Sequence, residues 1–284
     1  TTPSSTRFLD FIMSEWAESP AVIPAARVAA PFAAARRAAL SSQFPGQRMV
    51  IEAGSMKQRS NDTFFPFRAH SAFSHLTGWG ADSEPGAVLV LDPTSGGHEA
   101  TLYFRERAGR DTEEFFQNSE FGEFWIGARP SLAQVAGDLG LPARSLAEFV
   151  ATADDLTLAN DELARAASEL RLVKDSYELT EMQAAVDATA RGFDDVLAAL
   201  GDAAAHPRGE RVIEGAFHAR TRIDGNTVGY ETIAAAGPHA CTLHWIRNDG
   251  EVRDGDLLLL DAGIELDSLY TADITRTIPI SGTF

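Results

Sequence analysis

At 284 residues the chain is long enough for one large or two ordinary domains. Its 44% hydrophobic and 23% charged residues are those of an ordinary globular protein. The balance of 41 Asp and Glu against 24 Lys and Arg, a formal charge of −17, argues against nucleic acid or an anionic membrane as a partner. Cys241 is the one cysteine, so no internal disulfide forms and a reducing compartment, the cytoplasm, is expected. No apolar run reaches the roughly 18 residues of a membrane span. The first residues lack the basic-then-apolar order of a signal peptide, although a start at Thr1 rather than Met is compatible with removal of an earlier segment.

Residues 20–42, rich in Ala and Arg, read as mostly helical, with Pro24 and Pro31 breaking or starting the helix. A strand is expected over 49–53, ended by Gly54 and Ser55, and a short helix over 71–76, stopped by Thr77 and Gly78. Two β-prone runs, 87–91 and 100–104, flank a turn over 92–97. Helical patterns at 131–140 and 160–168 complete an α/β unit of about 160 residues, an ordinary domain size. The register changes over 170–176. Asp175 with Glu178 makes a capping-box start. Leu179, Met182, Val186, Phe193, Leu197 and Leu200 then recur at helical spacing as one core-facing stripe. A second helix is expected over 209–222, then strands over 227–234, 240–245, 256–262 and 269–280. The expected domains are therefore 1–169 and 170–284.

Chemistry is concentrated in the last quarter. Asp261 ends the buried-looking run from Leu257 to Leu260, and Asp273 interrupts another β-prone run. An ionised carboxylate at the end of a buried strand is costly unless a cation or a set of donors holds it. Twelve residues separate the two (273 − 261 = 12), with turn-compatible residues between, so they can face each other across a hairpin and suit a hard or borderline divalent metal. Strand-end aspartates equally cap loops or pair with arginine, and Arg276 is close by in sequence. His244 sits in an apolar strand-like run, where a histidine is usually a satisfied core residue; near paired carboxylates it becomes a candidate acid, base or oxyanion donor. Tyr230 is a candidate donor to a metal-binding carboxylate, with a half-buried strand aromatic as the plainer reading. There is no G-x-S-x-G elbow, no phosphate-binding loop and no H-E-x-x-H helix, and the other histidines show no ligand spacing.

Several segments resemble the metallopeptidases of the pita-bread fold, in particular the Xaa-Pro aminopeptidase (aminopeptidase P) branch, with prolidase and creatinase as cousins. In the front half these are Phe65-Pro66-Phe67-Arg68, the run from Ser71 to Trp79, and the run from Glu84 to Leu91. Residues 170–175 resemble the junction into the catalytic domain. Leu243-His244, Asp254-Gly255-Asp256-Leu257, Asp261-Ala262-Gly263 and the run from Ala272 to Thr277 resemble the catalytic signatures. The front domain separates the chain from methionine aminopeptidase. The resemblance implies an α/β fold: an amino-terminal creatinase-like α/β domain followed by the first half of a pita-bread α+β catalytic domain.

It further implies a metal-dependent aminopeptidase that releases the amino-terminal residue from peptides with proline at the second position. Asp261 is similar to the carboxylate that chelates one metal, and Asp273 to the carboxylate that bridges two. His244 is similar to the histidine that stabilises the reacting carbonyl, and Tyr230 to a supporting tyrosine behind the metal ligands. The cofactors implied are two divalent ions, manganese first, with cobalt or zinc as alternatives. The family's metal cage also needs one His and two Glu that follow the position of Phe284, so this polypeptide alone is expected to be inactive, its remainder a companion chain or its partner a further copy. The rival readings are a prolidase-type dipeptidase and a non-catalytic pita-bread binding protein. Creatinase-like members do not keep the metal carboxylates.

Overall fold

The computed structural model of the chain describes residues 5–18 and 21–283. It divides into two units, one ending at Val173 and the other beginning at Lys174. Both are of mixed α/β build, as expected.

The first unit opens with α1 (Thr6–Met13) and α2 (Ala29–Ser41). Pro20, at the start of the expected helical region, lies outside the described residues. The helix itself begins only at Ala29, which leaves Pro24 outside any regular element and places Pro31 in the first turn, where a missing N–H breaks no helical bond. A sheet in the order β6-β5-β4-β1-β7 follows, built from β1 (Met49–Glu52), β4 (Val88–Thr94), β5 (Gly97–Phe104), β6 (Ala143–Ser145) and β7 (Leu156–Thr157). A small ladder joins β2 (Gln58–Ser60) to β3 (Thr63–Phe64).

Alternation along the strands explains why this sheet is covered on both faces. Met49, Ile51, Leu89 and Leu91 enter the main core, whereas Val50, Val88, Val90 and Tyr103 form a second cluster against Phe149. The β4–β5 turn is tighter than expected. Thr94 pairs with Gly97, so only Ser95 and Gly96 form the loop, and Asp92 and Pro93 lie within the ladder. Pro93 is tolerated there because β1 stops pairing with β4 at Leu91. Helices α3 (Ser71–Thr77), α4 (Glu113–Gln117), α5 (Glu123–Ile126), α6 (Leu132–Leu139) and α7 (Asp161–Glu169) complete the unit. Gly78 ends α3 at φ +74°, a left-handed conformation suited to glycine.

The second unit begins with α8 (Ser176–Ala204), started by the expected capping box: the Asp175 carboxylate accepts from the Glu178 N–H and the Glu178 carboxylate from the Asp175 N–H, each at 2.9 Å. It packs on α9 (Gly209–Asp224). The face it buries keeps Phe193 of the expected stripe, with Leu200 at its edge, but is otherwise made of smaller residues. Ala185, Ala188, Thr189, Gly192, Phe193 and Val196 are buried, while Leu179, Val186 and Leu197 are exposed. Small residues win the interface because they let α9 approach: a Cβ on Gly192 would stand 2.6 Å from the Phe217 ring.

Three strands form the sheet β12-β10-β9: β9 (Ile233–Ala236), β10 (Leu257–Ala262) and β12 (Ile274–Pro279). A two-stranded ladder joins β8 (Thr227–Val228) to β11 (Ile264–Glu265). The strand expected over 227–234 is thus broken at residues 229–232. The strand expected over 240–245 does not form. A 3-10 turn spans Gly237–Cys241, and the chain from Thr242 is irregular because Trp245 turns back into the unit to bond Glu210 while Leu243 is left exposed. The strand expected from 269 starts at Ile274, since Leu266 to Tyr270 close a turn with Leu269 at φ +68°.

Candidate metal centre

Strand register places both aspartates on one sheet face. Asp261 pairs with Thr275, and Asp273 lies two residues before Thr275, so the two carboxylates are diagonal neighbours. Leu258, Leu260 and Ala262 of β10 point the other way into the core with Ile213 and Phe217 of α9. The hydrophobic half of β10 therefore anchors the strand, and its alternate half presents Asp261.

Tyr230 brings the pair together. Its hydroxyl lies 2.6 Å from Asp261 Oδ1 and 2.9 Å from Asp273 Oδ1, so the two carboxylate oxygens are no farther apart than these bonds laid end to end. Two glycines make the convergence possible. A Cβ on Gly229 would stand 2.0 Å from Thr271 Cγ2, and one on Gly263 only 1.7 Å from the Ala272 carbonyl oxygen. The Gly229 N–H donates to Gly263 O at 2.8 Å, which fixes Tyr230 beside the end of β10.

Burial, followed by the hydrogen bonds and negative charge of Asp261 and Asp273, pushes the Tyr230 phenol well above its ordinary pKa. The phenol therefore keeps its proton across the neutral range. One proton serves one carboxylate at a time, which leaves the other without a side-chain donor among the described residues. Among the described residues neither aspartate pairs with an arginine; Arg276 donates to the carbonyl of Thr275 instead. Two converging carboxylates with one proton between them are an all-oxygen, net-negative donor set, and that fits a divalent cation. Among the described residues no three His, Cys, Asp or Glu side chains converge on one point, so Asp261 and Asp273 are the donors these residues offer.

Tyr230, Asp261 and Asp273 are thus brought together, each predicted as a site residue. His244 is not joined to them. It lies exposed on the irregular segment after Cys241, and among the described residues no hydrogen bond links its ring to the other three. Sequence reasoning missed the side chains that hold the surrounding loops. Glu178 accepts from the Tyr270 hydroxyl at 2.8 Å, and Glu181 from the Ser268 hydroxyl at 2.6 Å, tying the turn before Asp273 to α8. Glu210 does the same for the segment that carries His244. Their only sequence signal is an acidic residue near a helix start, which reads equally as a cap or a dipole contact.

Comparison with known proteins agrees with this architecture. Residues 180–284 match the model of metallopeptidase family M24, and residues 33–164 match the model of the aminopeptidase P amino-terminal domain. Residues 180–284 thus carry a metallopeptidase M24 domain, a pita-bread portion, and residues 33–164 an aminopeptidase P amino-terminal domain; the M24 family implies divalent metal ions. Its relatives include Xaa-Pro aminopeptidase 1 of Streptomyces coelicolor, 50% identical over 274 residues, covering 88% of this chain and 55% of that protein. The low-pH form of Escherichia coli aminopeptidase P superposes with a TM-score of 0.71 at 26% identity, covering 91% of this chain and 64% of the other. A zinc-substituted form of the E. coli protein in complex with product gives 0.70 at 27%, with the same coverage. The chain thus spans little more than half the length of the Streptomyces relative. Among the described residues no helix is long and apolar enough to cross a membrane.

Proposed function

We propose that the protein is a metal-dependent, cytoplasmic aminopeptidase that releases the amino-terminal residue from peptides with proline in second position. The observation that carries this reading is the meeting of Asp261 and Asp273 at the Tyr230 hydroxyl, in a chain half identical to an Xaa-Pro aminopeptidase.

Asp261 and Asp273, whose carboxylates converge at the Tyr230 hydroxyl, would hold the metals. Tyr230, kept protonated, donates to whichever carboxylate oxygen the cations leave free and so orients it. His244 donates to the carbonyl oxygen of the bond before proline as negative charge gathers there. When bound, two divalent ions, manganese first and cobalt or zinc as alternatives, supply Lewis-acid polarisation and an activated water. Zinc is accommodated by the E. coli neighbour. The further donors come from polypeptide outside the described residues, whether a continuation of this chain, a companion chain or a second copy, because two carboxylates alone leave a hard cation mostly hydrated.

The test uses the full-length enzyme stripped of metal. Adding Mn²⁺ restores release of the first residue from an Xaa-Pro-Yaa tripeptide, and Asp261→Asn removes both metal and turnover. Cleavage confined to Xaa-Pro dipeptides identifies a prolidase instead. Absence of bound metal together with absence of hydrolysis identifies a binding protein.

A further inference from the structure

Glu210, the second residue of α9, is fully buried, with 0% of its surface exposed. A carboxylate in that position is costly unless donors surround it, and four do. Oε1 accepts from the Ala236 N–H at 2.9 Å and lies 2.8 Å from His239 Nδ1. Oε2 accepts from the Trp245 indole N–H at 2.9 Å and from the Gly250 N–H at 2.7 Å. The donors come from both ends and the middle of the segment that carries His244. The Glu210 backbone N–H closes the same turn by donating to Gly250 O at 3.1 Å. Gly250 has to lack a side chain here, because a Cβ would stand 2.6 Å from the His239 ring and 2.8 Å from Glu210 Oε2.

The same segment is fastened to the strand beside Asp261. Asn248, also fully buried, accepts from the Ala234 N–H at 3.0 Å and donates to Thr232 O at 2.9 Å. The Ala234 and Ala236 N–H groups are therefore both taken by side chains, Asn248 and Glu210, while β9 pairs with β10 through Ile233 and Asp261. His239 stacks on Trp245 with 3.9 Å between ring centroids. Trp245 is thus held by a hydrogen bond and by a ring face, one residue after His244.

The geometry points to Glu210 as the positioning residue for His244, acting through Trp245 and Gly250. It rests on the role given above to His244. An acceptor-only group is required, because each oxygen takes two donors. Gln has the same size but turns an NH2 toward two of them, so the segment loses its anchor without a cavity being made.

Hydrogen exchange, Mn²⁺ titration and steady-state kinetics on the full-length enzyme test this with E210Q, E210D, H244A and E210Q/H244A. E210Q should speed amide exchange over residues 236–250 by roughly ten- to a hundredfold, the effect of stranding buried donors. Mn²⁺ affinity should stay within about twofold, and the loss of turnover should fall on kcat rather than KM. E210D should recover part of the loss. The double variant should be no slower than H244A, since Glu210 acts only through that residue. Unchanged exchange in E210Q, or additive losses in the double variant, would overturn the assignment. A fully active H244A overturns the role of His244 itself, and with it this inference, so the two failures are told apart. Should E210Q fail to fold, W245F removes one of the four donors and should shift exchange and kcat in the same direction by less.

Discussion

Two carboxylates and one phenolic proton meet at Tyr230, and their charges do not balance. In the metal-free chain Asp261 and Asp273 repel each other. Asp273→Asn removes one charge and should raise metal-free stability by on the order of 1 kcal/mol, while abolishing the Mn²⁺-dependent rise in thermal midpoint. Tyr230→Phe removes the shared proton and should lower metal-free stability by about 1 kcal/mol, with the Mn²⁺ response kept. Thermal unfolding with and without Mn²⁺ reads both, and a full Mn²⁺ response in the Asp273 variant would break the assignment. The sign for pH follows from the raised phenol pKa. The folded chain binds this proton more tightly, so the stability it contributes is complete below the ordinary value of 10.0 and is lost as pH rises above it. Tyr230→Phe should show a shallower alkaline loss. The aspartates were legible because a carboxylate ending a buried strand is conspicuous. Tyr230 was legible only through its resemblance, since spacing alone reads it as a strand aromatic. Glu210 was not legible, because its donors lie 26 to 40 residues further along the chain.

At the scale of elements, the site stands on the contact between α8 and α9. Phe217 fills the space left by Gly192 and packs edge-on against Phe193, and Phe217→Ala should cost about 3–5 kcal/mol in urea unfolding, as core aromatic deletions do. Two carboxylates tie the same helices. Asp195 accepts from Arg220 at 2.7 Å, and Asp224 from Arg191 at 2.6 Å. The guanidinium hydrogen bonds hold both carboxyls below their ordinary value of 3.8. A depressed carboxyl contributes stability that is present above that value and lost as pH falls below it. Arg220→Met should therefore flatten the acid side of the stability profile, and an unchanged acid limb would show the pair to be solvent-screened. The periodicity of α8 was readable, but its face only in part: Phe193 and Leu200 pack on the core, whereas Leu179, Val186 and Leu197 are exposed. A stripe of large residues is the usual core signal, yet close helix approach selects Ala185, Ala188 and Gly192. The run from Cys241 to Trp245 reads as a strand by composition, and loses that form because Glu210 offers the Trp245 indole a buried acceptor that no local pattern encodes.

Across the whole molecule, the core residues separate cleanly along the chain. The main cluster of the first unit draws on Leu40 to Ala167, and that of the second on Ala188 to Ile280, with no residue in common. The change was visible in sequence as the switch at 170–176 from strand–helix alternation to two long helices followed by strands. In the first unit the five-stranded sheet has apolar residues packed on each face, from Leu89 and Leu102 on one side and from Val90 and Tyr103 on the other. Stability of that kind is local to the unit that owns the core. Residues 21–173 expressed alone should therefore unfold in a single cooperative step in urea, with the near-ultraviolet circular dichroism expected of Trp79 packed edge-on against Phe104. Its midpoint should fall within about 0.3 M of the matching transition in the 284-residue chain, since the m-value of a domain this size converts a shift of that extent to under about 1 kcal/mol. A fragment that keeps helix and strand signals but loses the Trp79 signal and binds a hydrophobic dye would show that the fixed packing of this core requires residues beyond Val173.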